Sequence, residues 1–363
     1  MIKNRRSQLL PILESRKGLH LTVYLSHRKS TEDLAEALLE SRNEAYDFLL
    51  GTLKPRQAEQ FLQPIDSLID DTRVFRKIKT SLAIFRSETT FRILSIPLAI
   101  EDCCVVATSF HVKPLLRWLQ NDQDFALIGI EPSEIRLMTG SLHDIRASQS
   151  LHLDEGLLEA KSFHEKQLPE VLYWISESIK DKNTAVYLAG IPMAVQALNT
   201  KLKSSYNVRT LGEQTQRNSW DSEIIKIRQE LKNEVHFKIL RSLSEYKIAQ
   251  SQNKAKQNLF QIAKAVVQRK VKKLIIADQV KIFGKFDPDR GHLDLHPFPM
   301  DHEDDDVLDD LAQAVLRDGG EVVVTDLETV PQGRAALAIL KNENEQSKLV
   351  YEENPRNMER HQQ

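Results

Sequence analysis

Apolar and polar positions change period several times along the chain, and each change marks an element. Residues 21–25 (LTVYL) are a β-rich run, followed by polar SHRKS and a helical pattern that Ser30 can cap and Asp33 answers three residues later. From 31 to 71, Leu34, Leu38, Ala45 and Leu49, then Ala58, Phe61, Leu62, Ile65, Leu68 and Ile69 recur at helical spacing. Lys54 and Pro55 interrupt that pattern, which predicts two helices. SLAIF, FRILSIP and CCVVAT follow, three β-branched or aromatic runs separated by polar turns. They predict a first domain, residues 1–120, with a mainly antiparallel sheet covered by the preceding helices.

A second block opens with FALIGIE and EIRLMTG, two strands joined by a turn at Glu131, Pro132 and Ser133. Residues 141–166 are polar and show no period. A helix over 170–179, the strand AVYLAG and a helix opened by Pro192 restore the alternation of an α/β layer. Ile224, Ile227, Leu231, Val235, Ile239 and Leu243 then keep one stripe of a long helix, which closes a central domain at 121–250. The third domain, 251–341, opens with a Lys-rich helical segment. It continues through LIIAD, KIFGKF, HLDLH, an acid-headed helix from Asp304, EVVVT and ALAIL. Residues 342–363 are polar and predict a disordered tail. The fold class is therefore α/β and α+β, in several domains.

Composition supports this division. A length of 363 residues suits two or three domains at roughly 150 residues each. With 41% hydrophobic and 28% charged residues the chain is too apolar to be disordered throughout. Fifty Lys and Arg against 52 Asp and Glu leave a net charge of −2, so contact with nucleic acid must come from local basic surfaces. The only cysteines, Cys103 and Cys104, are adjacent, where a mutual disulfide is hard to close, and predict a reduced, cytoplasmic protein. Pro11 interrupts the short apolar stretch of the N-terminus, which argues against export. The uncharged stretch 183–200 contains Gly190 and Pro192 and reads as strand, turn and helix, with no membrane contact expected.

The candidate chemistry is sparse. Asp301, His302, Glu303, Asp304, Asp305 and Asp306, with Asp309 and Asp310, suggest a hard-metal site, yet they stand at a helix start where carboxylates meet free N–H groups. The expectation is capping plus solvation, with no metal. His292, Asp294 and His296 alternate along a strand, a weak zinc-like spacing that a polar strand face explains equally. Gly319 and Gly320 fit a helix end and the turn into a strand. Dinucleotide, phosphate-loop, metalloprotease and nucleophile-elbow motifs are absent, and no cofactor is expected. Two basic loops, around Arg28 and Lys29 and around His111 and Lys113, could meet phosphate, and the Lys-rich segment with Lys270, Lys272 and Lys273 could track an RNA backbone.

Taken together, several stretches resemble the bacterial branch of the archaeo-eukaryotic release factor superfamily, most nearly its third family, over residues 10–341. They are VYLSHR, SFHVKPLL before FALIGIEPSEIRLMTG, and KIFGKFDPDRGHLDLH with DHEDDDVLDDLAQAVLRDGGEVVVTDLETVP and AALAIL. The resemblance implies a central domain similar to the ribonuclease-H-like domain of release factors and Pelota, and a last domain similar to kink-turn-binding ribosomal proteins. It implies a place at the ribosome, with rRNA or tRNA as contacts and a translational GTPase as a candidate partner. Release factors position water with a Gly-Gly-Gln loop, and this chain has no such tripeptide. The corresponding stretch offers His152, Glu155 and His164 as weak catalytic candidates. The preferred reading is a Pelota-like, RNA-binding translation factor acting in ribosome rescue, hibernation or quality control without release chemistry. A peptidyl-tRNA hydrolase or nuclease with His164 as base and Glu155 as its partner is one alternative, and a protein-interaction scaffold is another.

Overall fold

The computed structural model describes residues 11–13, 18–78, 80–153, 167–211, 220–298 and 305–342. Glu155, His164, Asp304 and residues 343–363 of the tail expected over 342–363 lie outside them. The chain divides into two compact units, one drawn from residues 119–238 and the other from 8–118 together with 239–363. The first and third blocks of the sequence therefore share one unit.

In that shared unit, β1 (His20–Leu25) lies between β2 (Ser81–Arg86) and β4 (Cys103–Ala107), with β3 (Phe91–Ile96) beyond β2, all antiparallel. Alternation sorts the faces. Leu21, Val23 and Leu25 pack with Leu82 and Ile84 under α1 (Thr31–Leu49) and α2 (Pro55–Asp70), while His20, Thr22 and Tyr24 face the other way. Ser30 caps α1 by accepting from the Asp33 N–H at 3.0 Å. α3 (Lys113–Asn121) follows β4.

The second unit is built on β5 (Asp124–Ile130), β6 (Glu134–Ser141), β7 (Ile145–His152), β8 (Ala185–Gly190) and β9 (Asn207–Thr210), in the order β7-β6-β5-β8-β9. β7, β6 and β5 are antiparallel, and β5, β8 and β9 parallel. Ala126, Ile128, Val186 and Leu188 meet α4 (Leu168–Ser178) and α5 (Pro192–Leu202) on one face. Phe125, Leu127, Ala185 and Tyr187 meet Trp220 and the first turns of α6 (Asp221–Ser251) on the other. A Cβ on Gly129 would stand 2.4 Å from the Trp220 ring, so only glycine lets that ring lie on the strand.

The remaining elements belong with the first group. They are β10 (Ala255–Lys256), α7 (Leu259–Val267), β11 (Val271–Ala277), β12 (Phe283–Phe286), β13 (Leu293–His296), β14 (Asp305–Asp306), α8 (Val307–Arg317), β15 (Glu321–Thr325) and β16 (Ala336–Leu340). β10, β16, β11 and β15 form a sheet in that order, and β13, β12 and β14 a smaller one. Gly319 closes α8 at φ +74°, and the Gly320 N–H donates to the Val315 carbonyl, so the glycine pair is a helix end.

Three expectations are corrected. The polar stretch after Ser141 contains a full strand, β7, whose side chains are nearly all exposed. β9 is a strand that the pattern did not reveal. The Lys-rich segment is no single helix: α6 runs to Ser251, Asn253 and Arg269 take positive φ, and Lys270, Lys272 and Lys273 fall on a turn and on β11. Among the described residues no helix is long and apolar enough to cross a membrane.

Candidate functional site

The charged stretches that looked independent in the sequence meet inside the shared unit. The Asp309 side chain, 3% exposed, reaches from α8 to the start of α3. Its Oδ1 accepts from the Val112 N–H at 3.0 Å and the Lys113 N–H at 2.8 Å, and its Oδ2 takes the His111 Nδ1–H at 2.5 Å. One carboxylate thus caps a helix that lies about 200 residues away in sequence and sits at its positive end.

Beside it the Lys113 side chain is 1% exposed, its ammonium 2.5 Å from Asp306 Oδ2 and donating to the Val280 carbonyl. Asp306 in turn caps α8, accepting from the Leu308 N–H at 3.2 Å and from the Ile282 N–H at 3.2 Å. Gln313 Nε2 donates to Ser109 Oγ and to the Phe110 carbonyl, and Arg117 pairs with Asp278 and Asp326. Burial pushes the Asp306 carboxyl up, with the Asp309 charge adding to the rise. Burial acts on Asp309 too, but His111, Lys113 and the Val112 N–H outweigh it and hold the carboxyl below its usual range.

His111, Asp306 and Asp309 each bring a ligand atom within 4.8 Å of the others, a spacing that could hold a metal ion. Lys113 already supplies the positive charge there. The expected solvation of the acidic run is corrected: Asp306 does cap α8, but it and Asp309 are buried in ion pairs. Lys113, expected on an RNA-facing loop, is buried for the same reason.

A cleft of about 660 Å³ opens alongside, lined by Ser109, Asp310, Arg317, Arg269, Val266 and Phe286 among others. Burial pushes the Asp310 carboxyl up to about 7, opposed by a Ser109 hydrogen bond and reinforced by the charges of Asp309 and Asp306. A folded protein that keeps a proton the unfolded chain has released loses stability as pH rises, here between about 4 and about 7. Asp310→Asn is therefore expected to be more stable than the parent at pH 8 and no more stable near pH 4, measured by thermal melting at both. An equal effect at the two pH values would contradict the assignment.

The other expected residues scatter. Arg28 pairs with Asp102, and Lys29 is exposed. Lys273 is 7% exposed and bound by Glu245 at 2.7 Å and Glu321 at 3.2 Å. Lys270 is half-buried, whereas Lys272 is exposed and shares a groove with Lys254. His152 is 80% exposed and 3.7 Å from Glu134. His292 lies outside β13, and His296 is 3.6 Å from Asp294. Cys103 and Cys104 are free thiols on β4.

No family model and no curated protein matches the chain. Solved structures do. The chain is similar to Dom34 of S. cerevisiae, a translation termination-like factor of RNA quality control that interacts with Hbs1, at 13% identity and TM-score 0.40 over 74% of each chain. It is similar to ribosome-bound archaeal Pelota in a structure with ABCE1, at 11% identity and TM-score 0.40 over 93% of this chain and 94% of that one. The archaeal translation termination factor aRF1 aligns at 14% identity and TM-score 0.25 over 94% and 99%.

Proposed function

We propose that the protein is a ribosome-associated translation factor acting in rescue, hibernation or quality control, without the water-positioning chemistry of a release factor. One observation carries the reading. SFHVKPLL and VLDDLAQ, two of the stretches on which the family resemblance rests, fold against each other through Asp309, Lys113 and Gln313. The order of the central sheet supports a ribonuclease-H-like assignment for 121–250. The sheet packed between α6, α7 and α8 supports a kink-turn-binding-protein-like assignment for 251–341.

With no Gly-Gly-Gln in the sequence, binding and not release is the activity expected. Contact with rRNA or tRNA then falls to the exposed cations Lys29, Lys254, Lys264 and Lys272. A translational GTPase is the partner class that the resemblance implies, in the cytoplasm. The hydrolase alternative would place its chemistry on Glu155 and His164, outside the described residues. The test is co-sedimentation with ribosomes: the protein should pellet at low salt and remain in the supernatant at high salt. Absence from the pellet at both would overturn the proposal.

A further inference from the structure

In the unit shared by the first and third blocks, a groove of about 200 Å³ is walled by the last turns of α6 and by β16. Its floor is apolar: Ala249 and Ile339 are buried there, Leu340 is half-buried, and Ile248 stands beside them with 59% of its surface exposed. Its charged side is mainly cationic, with Lys254, Lys272 and Lys273 against Glu245. Lys273 is held by Glu245 and Glu321, whereas the exposed Lys254 donates to a neutral amide, Asn342 Oδ1, at 2.9 Å. Asn342 lines the same groove, so the tail, residues 343–363, starts there.

We propose that the tail folds back into this groove, with Leu349, Val350 and Tyr351 on the apolar floor and neighbouring glutamates against Lys254. Residues 349–351 are the only run of three apolar residues in the tail. Glu343 and Glu345 precede them and Glu352 and Glu353 follow, against one cation, Lys348, so this stretch is opposite in sign to the groove. Reach is ample: the seven residues from Asn342 to Leu349 extend up to about 23 Å, and Asn344 and Ser347 suit the reversal. A short tether keeps the segment at a roughly millimolar effective concentration, so a contact too weak to hold a free peptide holds the tail. A glutamate is a better partner for the Lys254 ammonium than an amide oxygen, because a hydrogen bond between two charged groups is the stronger one. An RNA backbone offers phosphates to the same lysine but no aliphatic surface for the floor, which favours the tail as occupant. Docked there, the tail covers Lys254, one of the cations that the ribosome reading assigns to RNA, so tail and RNA compete. That competition rests on the ribosome reading; the docking does not.

Hydrogen exchange of the full chain, free in solution, tests the docking. The amides of 349–351 should exchange about tenfold or more slowly than in an unstructured chain. Ile248→Asp should return them to the unstructured rate while leaving the melting temperature near the parent's, because that side chain is already exposed. Leu349→Ser/Tyr351→Ser, which changes the tail alone, should likewise leave the Val350 amide unprotected. Exchange at the unstructured rate in the parent, or protection untouched by either variant, would overturn the proposal. Protection lost on dilution would overturn it in favour of the tail of a second copy. Leu349→Ser/Tyr351→Ser should also bind ribosomes severalfold more tightly than the parent at equal salt, and equal affinity would overturn the competition. Failure of parent and variant alike to bind ribosomes would count against the ribosome reading alone, since the exchange is measured without ribosomes.

Discussion

Asp309→Ala is expected to cost about 3–5 kcal/mol, the usual penalty for removing one partner of a buried charge pair. The substitution strips the start of α3 of the acceptor for two N–H groups and leaves His111 without its partner inside the protein. Asp309→Asn should cost less, since an amide oxygen can still accept from Val112 and Lys113. The pH dependence follows from the depressed carboxyl. A lowered folded-state pKa gives stability that is present above the unfolded value, about 4, and lost as pH falls through the folded one. The gap between the parent and Asp309→Asn should thus be widest near neutrality and shrink in acid. Urea unfolding at pH 7 and at about pH 3, below the unfolded value, measures both, and a cost at pH 7 under about 0.5 kcal/mol, ordinary for a surface change, would remove the seam from the account.

Lys113→Met should be comparably severe. It keeps much of the buried side-chain volume but leaves Asp306 without its cation, again at about 3–5 kcal/mol. Adding Asp306→Asn, which preserves an oxygen for the cap of α8, should recover much of the loss, because a buried pair replaced on both sides costs far less than one broken on one side. A lysine that met RNA phosphate would behave oppositely, with stability unchanged and binding weakened in the single variant. A double-mutant cycle read by urea unfolding therefore decides between the two roles.

Much of the fold is legible in the sequence because burial leaves a period. β1, the cap at Ser30, the break at Pro55 and the passage from AVYLAG through Pro192 into α5 all follow from alternation, capping and punctuation. β7 escaped because it pairs with β6 through its backbone while burying almost nothing, so no alternation is imposed on its side chains. The Lys-rich segment misled for the opposite reason. Its apolar residues suit a helix as far as Val267, and only the positive φ of Arg269 and the pairing of β11 turn the chain into a strand.

The charged seam was hidden because each half looks solvated by itself: a basic loop after one strand, an acidic run at one helix start. A signal was present. Asp309 falls among Val307, Leu308, Leu311, Ala312 and Val315, all buried, and Lys113 stands between Val112 and the apolar Leu115 and Leu116. A charge embedded in apolar sequence on both sides needs a partner of opposite sign. Two such charges of opposite sign in one chain are a pairing hypothesis that sequence alone can raise.

The central claim, association with the ribosome through local cations, is tested most directly by the salt dependence of ribosome affinity for the parent and for Lys254→Glu/Lys272→Glu. Both lysines are exposed in one groove, away from the Lys113 seam. The account predicts affinity that falls steeply with salt, and a slope reduced by roughly one for each phosphate contact removed. Ribosome affinity independent of salt, or no ribosome affinity in the parent, would contradict it.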